Sequence, residues 1–165
     1  RDELQLNVET GDLLNYKCEG KFFDVITMWH SLEHLYEPIP TLKEVKRVLK
    51  DDGLLVIAIP NIDSFAAKVF KENWYQLEVP IHLIAFSPDS ITRMLDSAGF
   101  NVKKIYYDRR NSPLSRSLRN LKGGKYRLLS KLSRFKVLIK MFNFILAMFG
   151  HCDSMVVHAL KKKSK

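Results

Sequence analysis

The sequence predicts an open α/β fold, helices flanking a largely parallel sheet in three layers, and three observations carry that expectation. Runs of strand type and helix type alternate through residues 1–108, and strands separated by helices imply crossover connections. Phe22–Trp29 and Leu54–Ile59 are nearly unbroken apolar runs rich in β-branched and aromatic residues, the mark of buried strands. The segments between them carry apolar residues at helical spacing, with charges on the opposite face.

In order, Leu4 to Val8 alternates apolar and polar residues and ends at the Gly11–Asp12 turn. Pro38 and Pro40 open a helix whose Leu42, Val45, Val48 and Leu49 face away from Lys43, Glu44, Lys46 and Arg47. Asp51-Asp52-Gly53 is its expected stop. Pro60 ends the second strand. Asp63 or Ser64 caps a helix through Phe65, Ala66, Val69 and Phe70. Ser87-Pro88 pairs an N-cap with a proline at the first helical position, and that helix closes at Ala98-Gly99. Phe100–Tyr107 is a further strand and Ser154–Leu160 the last one.

Charge divides the chain in two. Residues 1–100 hold 10 Lys/Arg against 16 Asp/Glu, net −6, whereas residues 101–165 hold 17 against 2, net +15. The second part reads as a Ser-, Arg- and Gly-rich loop at 111–125, then one helix over 126–149. That helix is basic in its first half and uncharged from Met141 to Gly150. Ten residues cannot cross a bilayer, which needs roughly 20, so an amphipathic helix lying in the membrane interface is expected. Phe142, Phe144, Ile145 and Phe149 would supply its inserted surface, and Lys161, Lys162, Lys163 and Lys165 would add attraction to an anionic leaflet. Packing over a pocket or a dimer interface is the alternative. Nucleic acid is not the expected partner, because no RNA-binding motif accompanies the charge.

Two cysteines, Cys18 and Cys152, make neither a disulfide framework nor a metal clip, which favours a reducing, cytoplasmic location. The opening RDELQLNVETGD lacks the apolar stretch of a secretory signal. His30-Ser31-Leu32-Glu33-His34 matches the H-x-x-E-H zinc signature. That chemistry needs both histidines on one helix face and a third ligand, whereas His30 directly follows a strand, so no metal site is expected. No glycine pair makes a G-x-G turn between a strand and a helix, so a phosphate-cradling loop is absent from these residues.

Residues 22–61, FFDVITMWHSLEHLYEP and LKEVKRVLKDDGLLVIAIPN, resemble the middle of a class I S-adenosylmethionine-dependent methyltransferase. The likeness continues through Trp74, Pro80 to Leu83, Phe86-Ser87 and the AGF at Ala98 to Phe100. Asp51-Asp52-Gly53 stands where that family usually has Pro-Gly-Gly. The resemblance implies a Rossmann-like methyltransferase fold truncated at its N-terminus, with 1–110 as sheet and helix core, 111–150 as a basic, apolar helical insertion and 151–165 as last strand and tail. It implies S-adenosylmethionine as cofactor, met by Asp12 and Leu13 at the adenine and by Trp29 and His30 near the sulfonium. Asn61, Trp74 and Phe86 would line the acceptor side. His82 is the candidate general base, since histidine alone titrates near neutrality when unperturbed. Glu33 is expected to cap the following helix. The expected acceptor is a small molecule or a lipid-linked one, and the fragment alone is expected to be inactive. A membrane-surface or nucleic-acid binding module is the competing reading.

Overall fold

The computed structural model describes residues 8–108, 114–120 and 135–163. Four strands, β1 (Phe23–Trp29), β2 (Leu49–Pro60), β3 (Phe100–Tyr107) and β4 (Ser154–Lys161), form one sheet in the order β1-β2-β4-β3. β1 and β2 run parallel, while β4 inserts antiparallel between β2 and β3. The crossover from β1 to β2 is α1 (Pro38–Val48). Between β2 and β3 lie α2 (Phe65–Phe70) and α3 (Pro88–Ser97), and between β3 and β4 lie α4 (Leu114–Asn120) and α5 (Lys136–Met148).

The core follows from the strand alternation. Leu55, Ile57 and Ile59 of β2 point to one face and are fully buried with Met155, Val157 and Ala159 of β4. Leu42 and Val45 of α1 and Ile91 and Leu95 of α3 cover that face. A smaller cluster, Ala66, Ala67, Phe70, Trp74 and Leu118, packs α2 and α4 together. Ser64 is the α2 cap, its Oγ accepting from Ala67 N at 3.0 Å. Ser87 and Ser90 form a reciprocal capping box at the start of α3, and Gly99 leaves it in the left-handed region at φ +88°, where a side chain is disfavoured.

Several expectations need correction. α1 stops at Val48, and Asp51-Asp52-Gly53 lies inside β2. Leu49 is buried opposite Phe23, while Lys50 pairs with Asp24 and Lys21 with Asp51, each at 2.7 Å. Gly53 serves a close approach: a Cβ there would lie 2.7 Å from Leu49 Cγ and 3.0 Å from the Asp24 carbonyl oxygen. β1 is less buried than its apolar run suggests. It pairs with β2 alone among the described residues, and Val25 and Trp29 stay 51% and 57% exposed.

The expected loop over 111–125 contains α4, because Leu118 is buried against the Trp74 cluster and the Ser117 hydroxyl accepts from Tyr75 N. The expected strand from Leu4 lies outside the described residues except for Val8, which is not in a strand. Of the expected helix at 126–149, the described part is α5; residues 126–134, with Lys131 and Arg134, lie outside the described set.

Lys161 to Lys163 of the basic tail do not share a surface with α5. α5 precedes the first residue of β4, whereas Lys161 to Lys163 lie at its other end, eight residues and about 25 Å away at the usual strand rise. There they border an open groove of about 1350 Å³ with Lys43, Lys46 and Lys103. Lys161 and Lys162 are paired with Asp51 and Asp96. Among the described residues no helix is long and apolar enough to cross a membrane.

Candidate functional site

The carboxyl ends of β1 and β2 open onto one rim, where open α/β sheets bind ligands. The His30 amide donates to the Ala58 carbonyl at 2.9 Å, and the chain then turns at φ +46°, a region that a non-glycine residue enters only at a cost. The turn sets His30 Nδ1 3.1 Å from Glu33 Oε1. Glu33 is fully buried, and its Oε2 has no hydrogen-bond partner among the described residues. The Glu33 hydrogen bond lifts the His30 pKa above its ordinary value, against the opposing effect of desolvation.

Glu33 does not cap α1. It sits inside a separate 3₁₀ turn, Leu32–His34, and the residue before α1 is Glu37, which makes no side-chain cap bond. Proline at the first position of α1 leaves one donor fewer to satisfy. His30 and His34 therefore occupy a strand end and a 3₁₀ turn, not one helix face, and the peptidase geometry is absent.

A loop over 71–86 closes the rim. The Glu33 carbonyl accepts from Leu83 N at 2.9 Å and Ile84 N at 3.2 Å, which ties the loop to the turn. His34 Nδ1 lies 3.0 Å from the Ile81 carbonyl oxygen, and His82 Nδ1 2.8 Å from that of Gln76. A carbonyl only accepts, so each imidazole donates from Nδ1. The two rings meet edge to face, with centroids 4.7 Å apart. His82 Nε2 is 3.5 Å from Glu78 Oε2.

Trp74, His82 and Phe86 border one cavity of about 210 Å³, together with Pro60, Ile62 and Gln76. Asn61 is set apart from it. Its Nδ2 donates to the Cys152 carbonyl at 3.1 Å and its Oδ1 accepts from Asp63 N at 3.0 Å, so this buried side chain ties the end of β2 to the approach to β4. Asp12 and Leu13 lie in and before a 3₁₀ turn, Leu13–Asn15, that packs on α1. Asp12 Oδ1 accepts from Leu14 N at 3.0 Å, and its other oxygen has no partner among the described residues. Leu13 packs at the margin of the main core.

Two residues of the site were missed from the sequence. Gln76 donates through Nε2 to Ser154 Oγ at 3.0 Å, while its Oε1 is buried without a partner among the described residues. Asp153 is buried, accepts from Trp74 Nε1 at 3.2 Å, and has its pKa pushed up to about 6 by desolvation. It is the sole acidic residue between 109 and 165, a signal that was available. Gln76 had none.

The model of a methyltransferase domain matches residues 4–105. The chain belongs to that family. A ubiquinone biosynthesis O-methyltransferase of Haemophilus ducreyi is 35% identical over 57 residues, which are 34% of this chain and 24% of that protein. Solved structures share the fold. A SAM-dependent methyltransferase of Archaeoglobus fulgidus superposes with TM-score 0.59 at 20% identity, covering 97% of this chain and 70% of its own. One from Thermotoga maritima gives 0.59 at 20%, covering 92% and 62%. A Haemonchus contortus N-methyltransferase, solved with phosphomonomethylethanolamine and S-adenosylhomocysteine, gives 0.52 at 15%, covering 92% and 36%. The chain thus spans about a quarter of the Haemophilus protein and 62% of the Thermotoga one.

S-adenosylmethionine is the cofactor of this methyltransferase family. Asp12 is exposed and offers a carboxylate, an acceptor of the kind an adenine amine needs, and Trp29 is half exposed at the carboxyl end of β1.

Proposed function

We propose that this protein transfers a methyl group from S-adenosylmethionine to a nucleophilic atom of a small-molecule or lipid-linked acceptor. The observation that carries the reading is the cavity holding Trp74, His82 and Phe86 beside the carboxyl end of β2. When bound, the cofactor supplies an electrophilic methyl on a sulfonium. The protein then has chiefly to hold the nucleophile in line, which is worth roughly 7–11 kcal/mol in favourable cases.

In this reading Asp12 and Leu13 receive the adenine, while the Trp29–His30 backbone borders the reacting end. At about 210 Å³ the cavity is smaller than a typical drug-sized pocket of roughly 300–1,000 Å³, so it takes the reacting end of an acceptor. Gln76 Oε1 offers that end a hydrogen-bond acceptor. His82 takes the proton of a hydroxyl or ammonium nucleophile. The 165 residues alone bind cofactor weakly, for they contain no glycine-rich loop to hold its methionine end.

A second, compatible reading is attachment to a membrane surface, favoured by α5. Leu138, Met141, Phe144, Ile145 and Met148 are all at least half exposed on a helix with no acidic residue. A lipid-linked acceptor would then be met where it resides. The test is turnover of the protein produced from its complete reading frame: His82→Ala lowers methyl transfer to a hydroxyl acceptor while cofactor affinity holds. Unchanged turnover in that variant removes His82 from the proton transfer.

A further inference from the structure

We infer that the lysine-lined groove at the amino ends of β1, β2 and β3 is a docking surface for the backbone of double-stranded RNA, read without regard to sequence. The strand directions put this groove at the end of the sheet opposite the rim that carries His30 and Asn61. Eight basic and two acidic side chains line it. The inference does not rest on methyl transfer.

The fold assembles this charge from distant segments. Lys43 and Lys46 come from α1, Lys103 from β3 and Lys163 from beyond β4. These four have no ion-pair partner among the described residues. The other four cations are held locally: Lys21 and Lys161 share Asp51, Lys162 pairs with Asp96, and Arg47 with Glu44. Like charges gathered without counterions repel one another, and an entering anion relieves that repulsion.

Shape and lining select the anion. At about 1350 Å³ the open groove exceeds the roughly 300–1,000 Å³ of a small-molecule pocket, so it does not enclose a small phosphorylated ligand. Leu160 is the one apolar residue lining it, which leaves no pocket for the buried anchor of a protein partner. No aromatic residue lines it either, so the bases of a single strand find no stacking platform. A regular row of phosphates fits what remains, because lysine meets phosphate as a point charge. From β1 to β3 the groove crosses four strands, roughly 14 Å at about 4.8 Å per strand. A duplex presents one charge per about 1.7 Å of its axis. The groove lies at the other end of β4 from α5, so a lipid surface met by α5 leaves it open.

Two further lining residues favour RNA over DNA. Asp52 and Asn101 are exposed in the groove. A carboxylate among lysines repels phosphates, but both side chains accept a hydrogen bond from a 2′-hydroxyl, the group by which proteins distinguish RNA. No RNA-binding motif marks these residues in the sequence, because they come together only in the fold.

Fluorescence anisotropy tests the assignment on the protein produced from its complete reading frame. The probes are labelled RNA duplexes of about 20 base pairs in two unrelated sequences, a DNA duplex of matching sequence, and a polyglutamate peptide. Both RNA duplexes should bind equally and the other two probes more weakly. Affinity should fall about 100-fold between roughly 50 and 200 mM salt, for four phosphate contacts at a logarithmic slope of about 0.9 each. Lys43→Glu combined with Lys103→Glu should weaken RNA binding at least about tenfold at the lower salt and reduce the slope by about two. Lys68→Glu combined with Lys71→Glu makes the same charge change at the other end of the sheet and should stay within about threefold of the parent, because salt screens distant charges. Circular dichroism checks folding, and Lys43→Gln with Lys103→Gln replaces a groove variant that fails to fold. No binding of the RNA duplexes at the lower salt, unchanged affinity in the folded groove variant, an equal loss in the variant at Lys68 and Lys71, or tighter binding of DNA or polyglutamate would each overturn the inference.

Discussion

Trp74 and Asp153, 79 residues apart in sequence, are joined by a hydrogen bond of 3.2 Å from the indole Nε1 to the carboxylate Oδ1. The bond ties the loop after α2 to the entrance of β4, and it fixes the tryptophan that borders the cavity of about 210 Å³. Burial dominates this carboxyl, pushing its pKa up to about 6 from an ordinary value near 3.8.

The sign of the consequence follows from proton linkage. Between about pH 4 and pH 6 the folded chain binds more protons at Asp153 than the unfolded chain, so stability falls as pH rises through that window. The full shift corresponds to about 3 kcal/mol. Asp153→Asn keeps an acceptor for the indole and removes the charge. It should be more stable than the parent at pH 7 by up to that amount and equal to it near pH 4. Urea denaturation across this range measures the difference.

The pair between His30 and Glu33 adds a contribution of the same sign. A histidine whose folded pKa is raised stabilises below its ordinary pKa, and that stability is lost as pH rises through the raised value. His30→Ala should therefore lose stability more at pH 5.5 than at pH 8, roughly a unit below and above the ordinary range. Chemical denaturation at the two pH values reads it.

Helix capping offers a test confined to one element. Ser87 Oγ accepts from Ser90 N at 3.1 Å and Ser90 Oγ accepts from Ser87 N at 2.8 Å. Ser87→Ala should destabilise the chain by about 1 kcal/mol, within the 0.5–2 range of such caps. Ser87→Asp should recover most of it, because aspartate caps equally well. Denaturant midpoints of the three proteins decide this.

α5 carries a prediction about membranes. The chain should co-sediment with anionic vesicles, and part of that binding should survive high salt, which screens charge but not inserted apolar residues. Phe144→Asp should abolish the salt-resistant part. Substituting Lys161 to Lys163 should matter little, since they lie at the far end of β4. Binding that vanishes wholly with salt contradicts insertion of α5.

Much of this arrangement was legible in the residues. Continuous apolar runs marked β1 and β2, and Ser64 and Ser87-Pro88 marked helix starts; the family resemblance grouped Asn61, Trp74, His82 and Phe86, of which the last three border one cavity and Asn61 does not. What escaped depended on distant partners. Gly53 reads as a helix stop locally, yet its need comes from Leu49 and Asp24 crowding around it. Ser117 and Leu118 look like loop residues until Tyr75 and Trp74 receive them. Glu33 looks like a cap, but His30 is nearer. The separation of the basic tail from α5 is a matter of strand direction, which composition does not encode.

Cofactor recognition through Asp12 tests the methyl-transfer account most directly. The measurement is calorimetric titration of S-adenosylhomocysteine into the protein produced from its complete reading frame, compared with Asp12→Ala and His82→Ala. A hydrogen bond to a charged acceptor is worth about 1.5–3 kcal/mol. Asp12→Ala should therefore weaken binding by roughly 10- to 150-fold, with His82→Ala close to the parent. Absence of binding by the parent protein, or equal affinity in Asp12→Ala, would contradict the account.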